Sequence, residues 1–209
     1  MTTTSFKCTT LIEFAKMVWQ VVNPSPFKPA KAMLAAAVLA LLLTGCGVEG
    51  NRFQVEGHFL KLNRGEFYVY STNGLIDGID TIKLEAGRFV YEIPCEREGT
   101  LVMVFPNFSE QPIFAQPGKS VKMEGDASHL KELTVKGTKD NKLMNQFREA
   151  IANASPPQAA KTAALFAADN PASPVAAYLV RRYFITTPTP NYKEAARLLK
   201  LLLAEQPKN

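Results

Sequence analysis

Three cysteines and two histidines are the side chains of this 209-residue chain with the most chemistry to offer, and none is spaced for catalysis. Cys8, Cys46 and Cys95 form no Cys-x-x-Cys pair, so the chain has no thioredoxin-type dithiol of its own. His58 and His129 stand in neither His-x-x-x-His nor His-Glu spacing, and a catalytic or metal-binding histidine needs such partners. His58 falls on the polar side of an alternating run and reads as a solvated surface residue. Asp77 and Asp80 bracket Gly78-Ile79 but lack the further oxygen ligands of a calcium loop, so a strand-entry turn is expected there. No G-x-S-x-G, phosphate-binding loop or dinucleotide fingerprint occurs. Tyr68, Tyr70 and Tyr91 could make an aromatic binding face, although aromatic strand residues more often belong to the core. The expectation is a non-enzyme with no catalytic residue, no metal and no cofactor.

Cys46 is the exception, because of what precedes it. Lys28 and Lys31 are followed by an apolar run from Ala32 to Leu43 and then by Thr44-Gly45-Cys46. A basic segment, a short apolar segment and small residues at the cut form a secretory signal. The run is shorter than the ~20 apolar residues that a membrane span needs. Leu43-Thr44-Gly45-Cys46 resembles the bacterial lipobox. The resemblance implies that residues 1–45 are a signal peptide, and that Cys46 carries lipid (diacylglycerol and palmitate-type acyl chains) as the first residue of the mature protein. Residues 1–31 are long for the basic segment. A start at Met17 would shorten it and keep Lys28 and Lys31.

The leader also distorts the charge. Lys7, Lys16, Lys28 and Lys31 against Glu13 account for +3 of the formal +5, which leaves +2 from Cys46 onward. A near-neutral mature chain without a basic cluster has no electrostatic footprint for nucleic acid. Cys95 is then the one thiol left to the mature protein besides the lipid site. It lies at a strand end, where a small buried apolar group is expected.

The elements that must position these groups change character once along the chain. After a tether at 46–51, the pattern from Arg52 to about Val135 has period two. Phe53, Val55 and Phe59 alternate with Gln54, Glu56 and His58, Phe67 and Val69 alternate with Tyr68 and Tyr70, and Val121 and Met123 alternate with Lys122 and Glu124. Turn signals such as Asn63-Arg64-Gly65, Glu85-Ala86-Gly87 and Gln116-Pro117-Gly118 separate the runs. Strands are predicted at 52–61, 65–71, 77–84, 88–94, 100–105, 112–116, 119–125 and 131–135. They make an antiparallel β-sandwich or barrel over 52–136. From Lys139 the apolar spacing becomes helical, with starts at Ser155-Pro156, Ser173-Pro174 and Asn191. Helices are predicted at 139–153, 156–169, 174–186 and 192–205, an α-helical domain over 138–209. The class is α+β. The middle helices are rich in alanine, which buries little area, so the helical part is expected to lean on the β part or on a partner.

The order of several short segments is similar to a known arrangement. Phe53-Gln54-Val55-Glu56-Gly57, Gly78-Ile79-Asp80-Thr81-Ile82, Glu85-Ala86-Gly87-Arg88-Phe89-Val90-Tyr91, Gln116-Pro117-Gly118-Lys119 and Met123-Glu124-Gly125-Asp126 resemble an uncharacterised β domain. In Bacteroidetes lipoproteins that domain precedes a thioredoxin-like, disulfide-reductase-type domain. Asn170-Pro171-Ala172-Ser173 resembles their helical connector. The likeness covers about 52–187. The chain reaches Asn209 without the Cys-x-x-Cys that those relatives carry after the helices, so their redox activity is not carried over. Asp80-Thr81-Ile82 is similar to the acceptor sequence for O-glycosylation in such exported proteins, which makes Thr81 a candidate acceptor.

These readings converge on a lipid-anchored cell-envelope protein, on the periplasmic face or at the cell surface, acting as an interaction module. Two alternatives stand beside it. One is a module that binds a glycan or hydrophobic ligand. The other is an accessory subunit of a separate thioredoxin-like oxidoreductase. The membrane, through the lipid, and an envelope protein are the expected partners.

Overall fold

A computed structural model describes residues 50–206. The proposed leader 1–45, Cys46, residues 47–49 of the tether and residues 207–209 lie outside the described residues.

Eight strands form close to the predicted positions: β1 (Arg52–Leu60), β2 (Arg64–Ser71), β3 (Ile79–Glu85), β4 (Arg88–Pro94), β5 (Gly99–Val104), β6 (Glu110–Ala115), β7 (Lys119–Asp126) and β8 (Thr134–Lys136), with β5 and β6 buried on both faces. They form one sheet in the order β6-β5-β2-β3-β4-β1-β7-β8, antiparallel except for the parallel pair β1 and β7. The sheet curls into a nearly closed barrel. The predicted strand 131–135 is the main difference. Leu130–Glu132 forms a 3-10 turn, and pairing with β7 begins only at Thr134.

Inward residues fill the barrel. Phe59, Phe67, Phe89 and Phe105 meet with ring centroids 5.1–6.3 Å apart, mostly edge to face. Phe53, Phe67, Met103 and Met123 are fully buried. Burial at roughly 25 cal/mol per Å² makes this layer the main source of stability.

The barrel has two seams, and the chain treats them differently. β3 and β4 leave a tight turn in which Ala86 and Gly87 both have positive φ, the geometry of a type I′ hairpin. They pair only at Glu85 and Arg88 and then diverge. Tyr91 spans the gap, its hydroxyl donating to Asp80 Oδ2 at 2.7 Å. The other seam lies between the edge strands β6 and β8 and is filled by a helix, α1 (Lys139–Ala150). Asn141 of α1 receives a bond from the Phe114 N–H at 3.0 Å and donates to the Phe114 carbonyl at 2.9 Å. One helical turn later, Asn145 does the same to Val135, at 3.2 and 2.8 Å. Two carboxamides at i and i+4 therefore mimic the next strand for both open edges. Each edge gains the ladder bonds that an exposed edge lacks. Arg148 continues the seam by donating to the carbonyls of Leu130, Lys131 and Leu133. The chain reaches α1 through Gly137, at φ +129°, where a Cβ would lie 2.4 Å from the Ser120 carbonyl oxygen.

Three more helices follow: α2 (Pro156–Asp169), α3 (Pro174–Val180) and α4 (Tyr192–Glu205). Their caps are the predicted ones. Gln158 Oε1 accepts from the Ser155 N–H, Ser173 accepts from Val175, and Asn191 accepts from Glu194. The predicted helix 174–186 is α-helical only to Val180. Arg181–Ile185 widens into a π-helical turn closed by the Thr186 N–H on the Arg181 carbonyl at 2.8 Å. The helical core is thin, as its alanines require, with Ala163, Ala167, Ala176 and Ala195 buried. It is completed from the sheet by Phe114, whose ring stands edge to face with Tyr178.

Candidate functional site: a groove between sheet and helices

The outer surface of β2 and β5 is not wholly covered by the helices. Where α3 rises from it, a cleft of about 600 Å³ opens, lined by Thr72, Asn73 and Arg97–Thr100 from the sheet side and by Ala177, Tyr178, Arg181 and Gln206 from the helices. A second pocket of about 260 Å³, lined by Tyr70, Val102, Glu110, Arg182 and Thr186, shares Thr72, Tyr178 and Arg181 with the first. The two form one groove running along the outer face of β2 under α3 to the π-turn.

Local structure decides which groups reach it. Tyr68 and Tyr70 both point outward from β2, because Phe67 and Val69 take the inward positions. Tyr70 enters the groove and donates to Glu110 Oε1 at 3.1 Å. Tyr68 stays half exposed beside it. At the other end, Asn73 holds the rim: its Oδ1 accepts from the Thr100 N–H at 3.1 Å, and its carbonyl accepts from Arg97 Nη2 at 2.6 Å. The π-turn carries Arg181 and Arg182 at the groove's far wall. Both side chains are exposed, and among the described residues neither donates to a carboxylate or carbonyl.

The charges act on the tyrosines. Burial is the main cause that pushes the Tyr178 hydroxyl up to about 12, with Arg182 opposing it, so this hydroxyl remains a donor at neutral pH. Tyr70 is also raised, first by burial and then by the Glu110 carboxylate, against the pull of Arg181 and Arg182. The groove thus offers guanidinium and hydroxyl donors at one wall and a carboxylate acceptor at the other.

The residues singled out from sequence are dispersed. Thr81 sits exposed on β3, paired with Tyr68 and outside the groove. Tyr91 lies at the β3–β4 seam, packed against the barrel core and apart from Tyr68 and Tyr70. His58 and His129 are exposed, and among the described residues no group of three or more His, Cys, Asp or Glu side chains could hold a metal ion. Cys95 is buried, its Sγ donating to the Arg97 carbonyl at 3.3 Å, and burial pushes the thiol up, away from the reactive thiolate. Cys46 lies outside the described residues. Sequence reasoning missed Arg181, Arg182, Tyr178 and Glu110. The only local signal was the Arg-Arg pair closing an apolar helix, which reads equally well as two cations placed at a helix C-terminus.

Residues 53–144 match the family model described as Domain of unknown function (DUF4369). No curated protein and no solved structure matches the chain. The DUF4369 match starts inside β1 and ends inside α1, after Asn141 and before Asn145. The sheet wall of the groove, with Tyr70, Thr72 and Glu110, is therefore part of the DUF4369 region. The helical wall, with Tyr178, Arg181 and Arg182, lies beyond it.

Proposed function

We propose that this chain is a non-enzymatic interaction module of the cell envelope, held to a membrane by lipid on Cys46. The groove is the observation that carries the reading: an open, mixed-charge channel built jointly by sheet and helices, with unpaired arginines at one end. Its lining suits binding. The one thiol near its rim, Cys95, is buried and held in the unreactive form. Among the described residues no helix is long and apolar enough to cross a membrane. The basic flank, the apolar run and Leu43-Thr44-Gly45-Cys46 support anchoring through Cys46. The occupant is an envelope macromolecule.

Two measurements test the reading. In fractionated cells the full chain is expected in the membrane fraction and its Cys46→Ala variant outside it; a variant that still partitions with membranes would rule out lipid on Cys46. A photo-crosslinking amino acid at Thr72 is expected to give a discrete higher-mass adduct in intact cells, whereas the same group at Lys83, exposed on β3, gives none. Equal labelling at both positions, or none at Thr72, would remove the groove as an interaction site.

A further inference from the structure

We infer that the groove selects an acidic oligosaccharide, with one uronate carboxylate seated between Arg181 and Arg182. This deepens the interaction-module reading and rests on it.

The narrow end of the groove holds two guanidinium groups, Arg181 and Arg182, and one carboxylate, Glu110. Glu110 already accepts from Tyr70, while neither arginine has a partner among the described residues. The end pocket therefore carries a surplus positive charge that an anionic group would neutralise. A planar guanidinium pairs best with a planar carboxylate through two parallel bonds. Both arginines belong to the π-turn and line this one pocket.

The rest of the lining says what carries the carboxylate. Acceptors interleave with the donors along the channel: Glu110 at the narrow end, and Glu98 and Glu205 in the wide cleft. A run of acidic residues in a peptide would meet repulsion at each of these. A sugar chain in which neutral residues separate the uronates would not, because the hydroxyls of those residues donate to Glu98, Glu110 and Glu205. Thr72 and the Tyr178 hydroxyl, protonated at neutral pH, supply further bonds of the kind sugar hydroxyls make. Tyr70 and Tyr178 both line the end pocket, where their ring carbons add apolar surface for the C–H groups of a pyranose. A pocket of about 260 Å³ accommodates a single sugar residue, and the adjoining cleft of about 600 Å³ has room for its neighbours.

The test is calorimetric titration of the full chain, in detergent and with a chelator to remove divalent cations, using three probes: a uronate hexamer in which glucuronate alternates with neutral N-acetylglucosamine, maltohexaose and hexaglutamate. The uronate hexamer is expected to bind at least about tenfold more tightly than the other two. Replacing Arg181 and Arg182 together by Gln is expected to weaken it about tenfold, the scale of a lost charge-assisted bond, with the melting temperature unchanged. A conservative Arg181→Lys, Arg182→Lys chain should recover part of the affinity. Tighter binding of hexaglutamate would make the occupant an acidic peptide and overturn the saccharide assignment. No binding of the uronate hexamer, or binding indifferent to the two arginines, would overturn it as well. In both cases a Thr72-specific adduct in cells would leave the module reading standing, and its absence would remove that reading too.

Discussion

Asn141→Ala tests the account of how the barrel closes. The Asn141 side chain is 1% exposed and makes two bonds to the Phe114 backbone and a third to Thr138 Oγ1 at 2.7 Å. Truncation leaves the Phe114 N–H and C=O without partners beneath α1. An unsatisfied buried polar group costs about 1–3 kcal/mol, so two of them, partly relieved by entering water, predict a loss of about 3 kcal/mol. For a protein of this size each kcal/mol lowers the melting temperature by roughly 2–4 °C, so a fall of about 6–12 °C is expected. Denaturant unfolding of the full chain, followed by circular dichroism, gives the free energy directly. Hydrogen exchange gives the location, because the Phe114 amide should lose protection before the amides of β1. Asn145→Ala should cost less, about 1–2 kcal/mol, because its side chain is only part-buried. The isosteric Asn141→Asp separates bonding from shape. It keeps the acceptor for the Phe114 N–H but sets a carboxylate against the Phe114 carbonyl, and should destabilise as much as alanine does. A loss below about 0.5 kcal/mol for Asn141→Ala, the range of ordinary surface substitutions, would refute the strand-mimic role.

Three further outcomes are expected. Phe108, 88% exposed at the β5–β6 turn, has φ +60°, a conformation that costs an ordinary L-residue roughly 1–2 kcal/mol, so Phe108→Asn should raise stability by about 0.5–1 kcal/mol; a neutral or destabilising result in denaturant unfolding counts against strain at this turn. Cys95 should resist a thiol reagent in the native chain and react fully only after unfolding, and the chain alone should not reduce insulin disulfides; turnover that survives Cys95→Ser would contradict this. Of the isolated fragments, residues 52–136 should fold alone but melt at a lower temperature than residues 52–151, which keep Asn141, Asn145 and Arg148. Residues 138–209 lack Phe114 and should be partly unfolded or self-associating; a cooperative, monomeric melt of the latter would show that the helices are autonomous.

Element type was legible in this chain because it depends on neighbours. Alternation at Phe53-Gln54-Val55 or Val121-Lys122-Met123 states a half-buried strand within a few residues. Ser155-Pro156 and Ser173-Pro174 state helix starts through bonds that close inside one turn. The switch from period two to helical spacing at Lys139, and with it the α+β class, follows from the same local physics. Tertiary structure decided everything that joins distant residues. Asn141 and Asn145 read in sequence as a polar helix face, because nothing in the residue type reveals that two open strand edges lie against it. The shift from α to π at Arg181 depends on the Thr186 bond and on packing over the sheet, so the sequence reads as one unbroken helix through 186. The groove itself brings Tyr70 and Glu110 to Tyr178 and Arg181, residues from two patterns of different period. Spacing along the chain carries information about one element's own faces, and contact between two elements is set by how their buried faces pack.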